Sequence, residues 1–345
     1  MWRLLAGLAI CQMVTVPLPA QVICPVLSPY AERVELAVAR GLDHLVSIQQ
    51  EDGTFPGNRG SATGVVSLAG MAFLAAGHTP GHGPYGEAIN RCLDYILSQQ
   101  NDSGYIYAGR SNTGDRGMYS HHISTLFMTE LSGMLDPRRE ERVREAAGRA
   151  IRVIVASQEV SKRSGHEGGW RYGPSANDSD LSVSGWAVMA LRSARLNGAR
   201  VPDRNIRRAV DYVLRMQHDN GGFGYQNPGQ HRVSLTGLGI LVLELSGYHG
   251  ADEVARGKRY LNQHYRGIVS GNHWQFATYY GMQAGFQLGG DTWERIGAHV
   301  YEHFLPRQRD DGSWGDLYNT SMVLLSLTVP YRQLPIYQRD ETVDE

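Results

Sequence analysis

The sequence predicts an all-α fold, an (α/α)6 toroid in which six helical hairpins form an inner and an outer ring of helices. Three observations predict it. An amphipathic segment that ends in Gln and continues into a Gly-aromatic turn recurs along the chain. Each turn is followed by a second segment of helical length that is apolar nearly all round. Strand signals, which are short alternating runs rich in β-branched residues, are almost absent.

The amphipathic segments predict the outer ring, because a helix with one apolar face buries only that face. The copies lie at 42–55, 93–106, 151–172, 210–225, 256–274 and 301–316, the fifth being the most degraded. We interpret the repeated glutamines and turn aromatics as structural residues that tie helix ends to loops. They are Gln49, Gln99, Gln158, Gln217 and Gln308, with Phe55, Tyr105, Trp170, Phe223 and Trp314.

The apolar segments predict the inner ring. They lie at 64–77, 121–134, 181–194, 233–247, 276–290 and 319–329. The first and last are as apolar as the middle ones, whereas an open array of repeats needs polar caps at its ends. We therefore expect a closed ring with a central cavity, formed as one domain by residues 30–340.

The N-terminal segment, residues 1–20, has the pattern of a secretory signal peptide: one Arg, an apolar stretch and a Pro-Leu-Pro-Ala end. It is too short for a comfortable membrane span, and we expect no transmembrane segment in the mature chain. The expected location is therefore periplasmic or extracellular. In such a compartment Cys24 and Cys92 form either a disulfide or two separate buried thiols, and the sequence leaves both alternatives open.

Charge and motif content argue against nucleic acid and metal ligands. The formal net charge is −1, and no cluster of Lys and Arg interleaves with aromatic residues, so no nucleic-acid partner is expected. His299, Glu302 and His303 fit a zinc-peptidase pattern, His-x-x-Glu-His. They lie on a predicted outer helix with no further acidic ligand nearby in sequence. We expect neither a metal site nor a cofactor.

The Gln and Gly-x-aromatic pattern resembles the repeat motif of squalene cyclases and related terpene cyclases. The same (α/α)6 toroid occurs in the beta subunits of protein prenyltransferases and in thioester-containing complement domains. The resemblance covers residues 30–340 and implies the fold. For function it implies less, because one fold hosts unrelated activities. The chain lacks both the Asp-x-Cys zinc ligands of prenyltransferases and the thioester motif.

The stretch NDSDLSVSGWAVMAL, residues 177–191, is the place where this resemblance implies an acid. Squalene cyclases carry Asp-x-Asp-Asp-Thr-Ala at the start of an inner helix, with the middle Asp as proton donor. Aligned on the helix, Asp180 matches the first Asp, Ser182 the second and Val183 the third. A shift by two residues restores Asp178-Ser179-Asp180, with Asp180 at the middle position, but puts Leu181 at the third acidic position. On either alignment the motif is incomplete, which argues against proton-initiated squalene cyclisation.

Polar residues at the starts of the inner helices are expected to converge at one rim of the ring. As catalytic candidates we take Asp178, Asp180, His121 and His122, which could act as acid and base. As substrate-binding candidates we take residues of the rim and of the turn below it. These are Ser182, Trp186, Arg232, Tyr279, Tyr280, Gln283, Tyr318 and Asn319. The alternative is structural, because Asp180, Ser182 and Asn319 also suit helix caps and the tyrosines suit the cavity wall.

Three functions are consistent with these features. The first is an exported toroid whose apolar cavity holds an isoprenoid or lipid-like ligand, with the reaction unassigned. The second is a non-catalytic scaffold that binds a protein partner at the rim. The third is a carbohydrate-active enzyme on the same toroid, which needs paired carboxylates across the cavity. The sequence does not decide whether the protein is an enzyme, nor its substrate or oligomeric state.

Overall fold

The computed structural model describes residues 28–108 and 117–337. Within those ranges the chain forms twelve α-helices and no β-strand, which confirms the all-α prediction. The outer helices are Ala31–Ile48 (α1), Gly86–Ser98 (α3), Pro137–Glu159 (α5), Asp203–Arg215 (α7), Asp252–His264 (α9) and Gly290–Phe304 (α11). The inner helices are Thr63–Ala75 (α2), Met118–Glu130 (α4), Leu181–Leu196 (α6), Val233–Leu245 (α8), Trp274–Leu288 (α10) and Leu317–Leu327 (α12).

The inner helices form a closed ring, as the sequence predicts. Each packs against the next, and α12 returns to pack against α2. Every residue of α2 is buried, in keeping with its uniformly apolar sequence. Small residues let neighbouring inner helices approach closely. A Cβ at Gly237 would lie 2.9 Å from the carbonyl carbon of Tyr280, so this contact between α8 and α10 requires glycine.

The repeated glutamines join adjacent hairpins. Gln158 Nε2 donates to the carbonyls of Gly168 in its own turn (2.7 Å) and of Asn205 in the next outer helix (2.9 Å). Gln308 bonds to Ala37 of α1 in the same way (2.8 Å) and so ties the last hairpin to the first. The structural interpretation of the glutamines is confirmed at these positions, because each donates to a carbonyl of its own turn and to a helix carbonyl of the neighbouring hairpin.

The second repeat differs from the sequence prediction by one residue. Gln100, not Gln99, makes the equivalent bonds, to the carbonyls of Gly104 (3.0 Å) and Ala146 (2.8 Å). Gln99 instead donates to the hydroxyl of its neighbour Ser98 (3.0 Å). The sequence has Gln at both positions, and alignment on the first of the pair selected the wrong one.

The base of the ring is covered by the chain's own C-terminal part. A short 3-10 helix, Pro335–Tyr337, packs against α6, and the Ile336 N–H donates to Oε2 of Glu130 at the end of α4 (3.2 Å). Both Ile336 and Tyr337 are buried. The open end of the ring is therefore the opposite one, where the inner helices begin.

Two predictions about the termini fall partly outside the described residues. The leader at 1–20 and Cys24 lie there, so the signal peptide and the disulfide alternative stay predictions. Cys92 is completely buried in α3, and its sulfur accepts a hydrogen bond from Gln49 Nε2 (3.2 Å). Burial raises the pKa of this thiol to about 12. Among the residues described, no helix is both long and apolar enough to cross a membrane.

Candidate functional site

A cavity of about 740 Å³ opens at the rim where the six inner helices begin. Pockets for small molecules are typically ~300–1,000 Å³, so this volume suits one ligand. Every inner helix contributes side chains from its first two turns. One from each is Val65, Tyr119, Ser182, Leu235, Phe276 and Tyr318. The convergence that the sequence predicts for the rim is therefore present.

Aromatic rings form much of the cavity wall. Phe276 lies at its centre, with ring centroids 6.0 Å from Tyr119 and 6.1 Å from both Tyr280 and Tyr318. Tyr119 also stacks on Tyr172 at 5.8 Å. Such rings present apolar bodies and negative faces, which suit hydrocarbon chains and developing positive charge alike.

Asp180 lies behind this wall and is completely buried. It caps α6: Oδ1 accepts hydrogen bonds from the Val183 N–H (2.9 Å) and from the Ser182 hydroxyl (2.6 Å). Ser182 lines the cavity, whereas Asp180 is not among the lining residues. Any influence of Asp180 on a ligand is therefore transmitted through Ser182 and its neighbours.

Arg171 holds the second oxygen of Asp180. Its Nη1 donates to Asp180 Oδ2 (2.6 Å) and to the Tyr225 hydroxyl (2.5 Å), and its guanidinium lies 4.3 Å from the centre of the Tyr172 ring. The Tyr172 and Tyr225 hydroxyls, both on cavity-lining residues, are 2.6 Å apart. A network thus runs from the buried carboxylate to the cavity surface.

Burial raises the pKa of Asp180 above its usual value, and hydrogen bonds from Ser182, Val183 and Arg171 only partly oppose the rise. All three donors need acceptor oxygens, and Arg171 supplies a positive charge, so the geometry favours the carboxylate form. Asp178 is more peripheral: its side chain is 25% exposed, Arg171 Nε lies 3.3 Å away, and Gln226 Nε2 donates to it at 3.2 Å. The two aspartates share one arginine.

The two histidines do not reach the cavity. His121 is completely buried; its Nδ1 accepts from the Ile106 N–H (3.1 Å), so its Nε2 carries the proton and donates to the Ala150 carbonyl (3.1 Å). Burial lowers its pKa to about 4. His122 is equally buried, with Nδ1 3.2 Å from the Val183 carbonyl. Neither histidine is among the residues that line the cavity.

The remaining predicted residues divide between the cavity and the packed centre below it. Arg232, Tyr280 and Tyr318 line the cavity with Ser182. Trp186, Tyr279 and Gln283 lie deeper and are buried, with the Trp186 and Tyr279 rings stacked at 5.7 Å. Asn319 is outside the lining; its side-chain oxygen accepts from Gln275 Nε2 (2.7 Å).

Several lining residues escaped the sequence analysis, notably Arg59, Tyr119, Tyr172, Tyr225 and Phe276. A signal existed for two of them. Tyr172 and Tyr225 each lie two residues after the aromatic residue of a Gly-aromatic turn, Trp170 and Phe223. In these two repeats the Gly-aromatic turn therefore also places a tyrosine at the rim.

The His-x-x-Glu-His pattern on α11 is occupied by other contacts. Glu302 accepts a hydrogen bond from the Tyr30 hydroxyl (2.8 Å), and His299 Nε2 lies 3.3 Å from the Arg266 carbonyl. In residues 28–108 and 117–337 no group of three or more His, Cys, Asp and Glu side chains could hold a metal ion.

No protein-family model matches the chain. Two curated proteins are similar in sequence. The drimenyl diphosphate synthase of Streptomyces showdoensis is 27% identical over 192 residues, covering 56% of this chain and 33% of that enzyme. The squalene–hopene cyclase of Bradyrhizobium diazoefficiens is 24% identical over 205 residues, covering 51% of this chain and 28% of that cyclase. The matches therefore span a third or less of either relative.

Solved structures share the fold of this chain. A variant of the type II terpene cyclase MstE from Scytonema, in complex with geranylgeranyl dihydroxybenzoate, superposes with a TM-score of 0.59 at 14% identity, over 89% of this chain and all of that one. The chain is a terpenoid-cyclase-like α/α toroid. The GH76A α-1,6-mannanase of Salegentibacter sp. HEL1_6 matches this toroid with a TM-score of 0.60 at 10% identity, over 86% of this chain and 98% of the mannanase. At such identities the likeness concerns the fold alone.

Proposed function

We propose that the rim cavity binds an isoprenoid or another lipid-like molecule. The observation that carries the proposal is the wall of aromatic rings around Phe276, joined by the aliphatic side chains of Val65, Leu68 and Leu235. Apolar contact area in such a cavity drives the binding of a hydrocarbon chain. The names of the sequence relatives, a drimenyl diphosphate synthase and a squalene–hopene cyclase, support the same ligand class.

The proposal does not include proton-initiated cyclisation. On one alignment with the cyclase motif the proton donor's position falls on Ser182, which lines the cavity, and a serine hydroxyl is far too weak an acid to protonate an alkene. On the other alignment it falls on Asp180. Asp180 is withdrawn behind the wall and paired with Arg171 (2.6 Å). Within the described residues, the cavity lining contains no Asp or Glu. The reaction, if the protein catalyses one, stays unassigned.

The same lining bears on the alternative of a carbohydrate-active enzyme. Glycosidases use two carboxyl groups that flank the scissile bond, ~5–10 Å apart. The described lining of the rim cavity does not supply such a pair. The resemblance to the GH76A mannanase therefore supports a shared fold, and the isoprenoid proposal is the one that the lining favours. Export and protein partners stay predictions.

The test compares two phenylalanines of α10. Phe276 lies in the cavity wall, whereas Phe286 lies near the other end of the helix and packs on Trp293 (5.2 Å). We expect farnesol, titrated by calorimetry, to bind the full chain. Phe276→Ala should weaken that binding by about tenfold, the loss expected for ~1–2 kcal/mol of aromatic contact.

Phe286→Ala is the matched control, because it removes the same side chain from the same helix. Its affinity for farnesol should equal that of the unmodified chain. Absence of farnesol binding, or an equal loss in both variants, would argue against a ligand in the rim cavity.

A further inference from the structure

Two charged side chains of the described residues line the rim cavity, Arg59 and Arg232, and both are positive. In the described part of the chain no carboxylate lines the same cavity. A concave, partly apolar site with one sign of charge focuses its electrostatic potential on the space inside. The cavity should therefore attract a negatively charged group.

The two arginines differ in how far their charge is already compensated. Arg59 pairs with Asp316 (2.8 Å), which also caps α12, and it lies 4.7 Å from the centre of the Tyr318 ring. Arg232 forms no ion pair with any carboxylate of the described residues; its guanidinium lies 5.8 Å from the Tyr225 ring. Arg232 is therefore the cation whose charge is still free to bind a ligand.

The helix ends around Arg232 add to the same potential. Each inner helix directs its N-terminus, which carries partial positive charge, toward the rim. The carboxylates of Asp180 and Asp316 offset this charge on α6 and α12, whereas the N-cap residues of α8 and α10 carry no carboxylate. Arg232 is itself the N-cap of α8, and its side chain makes no cap hydrogen bond. The N-cap of α10, His273, is also without a side-chain cap bond.

The inner part of the cavity is apolar. Tyr280 lines it and is 1% exposed, and its ring lies 6.1 Å from that of Phe276. Such a wall suits a hydrocarbon chain rather than a charged head group.

We propose that the ligand of the rim cavity is an amphiphile with an oxyanion head group, held at Arg232, and a hydrocarbon chain that runs inward past Phe276 toward Tyr280. This inference rests on the proposed isoprenoid binding and adds the chemistry of the ligand's outer end. Guanidinium groups bind phosphate and carboxylate by the same charge-assisted hydrogen bonds, so a diphosphate and a carboxylate are two sources of that chemistry.

The experiment measures the affinity of the full chain for three ligands with the same hydrocarbon chain: farnesyl diphosphate, farnesoic acid and farnesol. We expect at least one of the two anions to bind about tenfold or more tightly than farnesol, the gain of one hydrogen bond to a charged group. The anion that binds more tightly identifies the head group. Added salt should weaken binding of the anion and leave that of farnesol unchanged.

Arg232→Gln should abolish the preference for the anion, and circular dichroism checks that the variant is folded. The matched control is Arg207→Gln on the outer helix α7, also an exposed arginine, which should keep the preference. Equal affinities for farnesol and both anions, or equal behaviour of the two variants, would overturn the head-group inference alone. Failure of all three ligands to bind would overturn the isoprenoid proposal and this inference with it.

Discussion

Arg171 Nη1 donates a hydrogen bond of 2.6 Å to Oδ2 of Asp180, a side chain that is completely buried behind the cavity wall. This ion pair holds the Asp180 side chain in place at the rim. Its other oxygen caps α6 and holds Ser182, which faces the cavity. The aspartate that the resemblance places at the active site is thus tied into the protein on both of its oxygens.

The first prediction concerns this pair. Asp180→Asn should lower the free energy of unfolding by about 3 kcal/mol, because it leaves the Arg171 charge without its buried partner. Asp178→Asn, the same chemical change on a side chain that is 25% exposed, should cost less than about 1 kcal/mol. Urea denaturation measures both. Equal losses of stability would show that the ion pair of Arg171 with Asp180 stabilises the fold no more than the one with Asp178.

The second prediction concerns the glutamines of the repeat. Gln158→Ala should cost about 2–3 kcal/mol of stability, because in a buried site the Gly168 carbonyl loses this donor and the Asn205 side-chain amide loses this acceptor. Gln99→Ala should cost less than about 0.5 kcal/mol, since Gln100 makes the equivalent bonds in that repeat. Thermal and urea unfolding compare the two. A large loss at Gln99 with none at Gln158 would contradict the assigned repeat register.

The third prediction concerns Glu130 at the base of the ring, which accepts hydrogen bonds from Ser193 and from the Ile336 N–H. Burial raises the pKa of this carboxyl from 4.5 to about 7. Between these values the folded state binds more protons than the unfolded state, so stability should fall as pH rises from about 4.5 to about 7, on the order of 3 kcal/mol in all.

Glu130→Gln should remove this contribution, because the amide does not ionise. The measurement is the free energy of unfolding at a series of pH values from about 4.5 to 8, with the variant beside the unmodified chain. Identical pH profiles for the two proteins would show that Glu130 ionises normally in the folded state.

The fourth prediction separates structure from function at His121. His121→Ala should destabilise the fold by about 3 kcal/mol, because the Ile106 N–H loses its acceptor inside the protein and the removed ring leaves a cavity. The affinity of the folded protein for farnesol should not change. Calorimetric titration at a temperature where the variant stays folded checks this. A lower affinity of the folded variant for farnesol would show that His121 contributes to ligand binding.

The repeat pattern was sufficient to predict the ring, because each hairpin carries its own signal and the signals agree along the chain. The faces of individual inner helices were harder to assign. On α4, Tyr119, Ser120 and Ile123 line the cavity, while His121 contacts the outer helix α5. Successive residues of a helix are rotated by ~100°, and on a helix that is apolar nearly all round no polar stripe marks the side that faces the ring's axis.

Contacts between separate segments could not be predicted from the sequence either. The sequence pattern indicates Asp178 and Asp180 but not Arg171, their common partner, which lies in the preceding turn. Nothing in the local pattern distinguishes Arg171 from the chain's other arginines. Its role depends on the antiparallel contact of Trp170 with Asp180, which brings the two segments side by side.

The central claim, a ligand-binding rim cavity, is tested most directly by native mass spectrometry of the full chain purified from its own host. We expect a bound molecule whose extracted mass fits an isoprenoid or lipid, with unchanged occupancy in Phe286→Ala and lower occupancy in Phe276→Ala. A chain that carries no such molecule, and gains none on incubation with farnesol or farnesyl diphosphate, would contradict it.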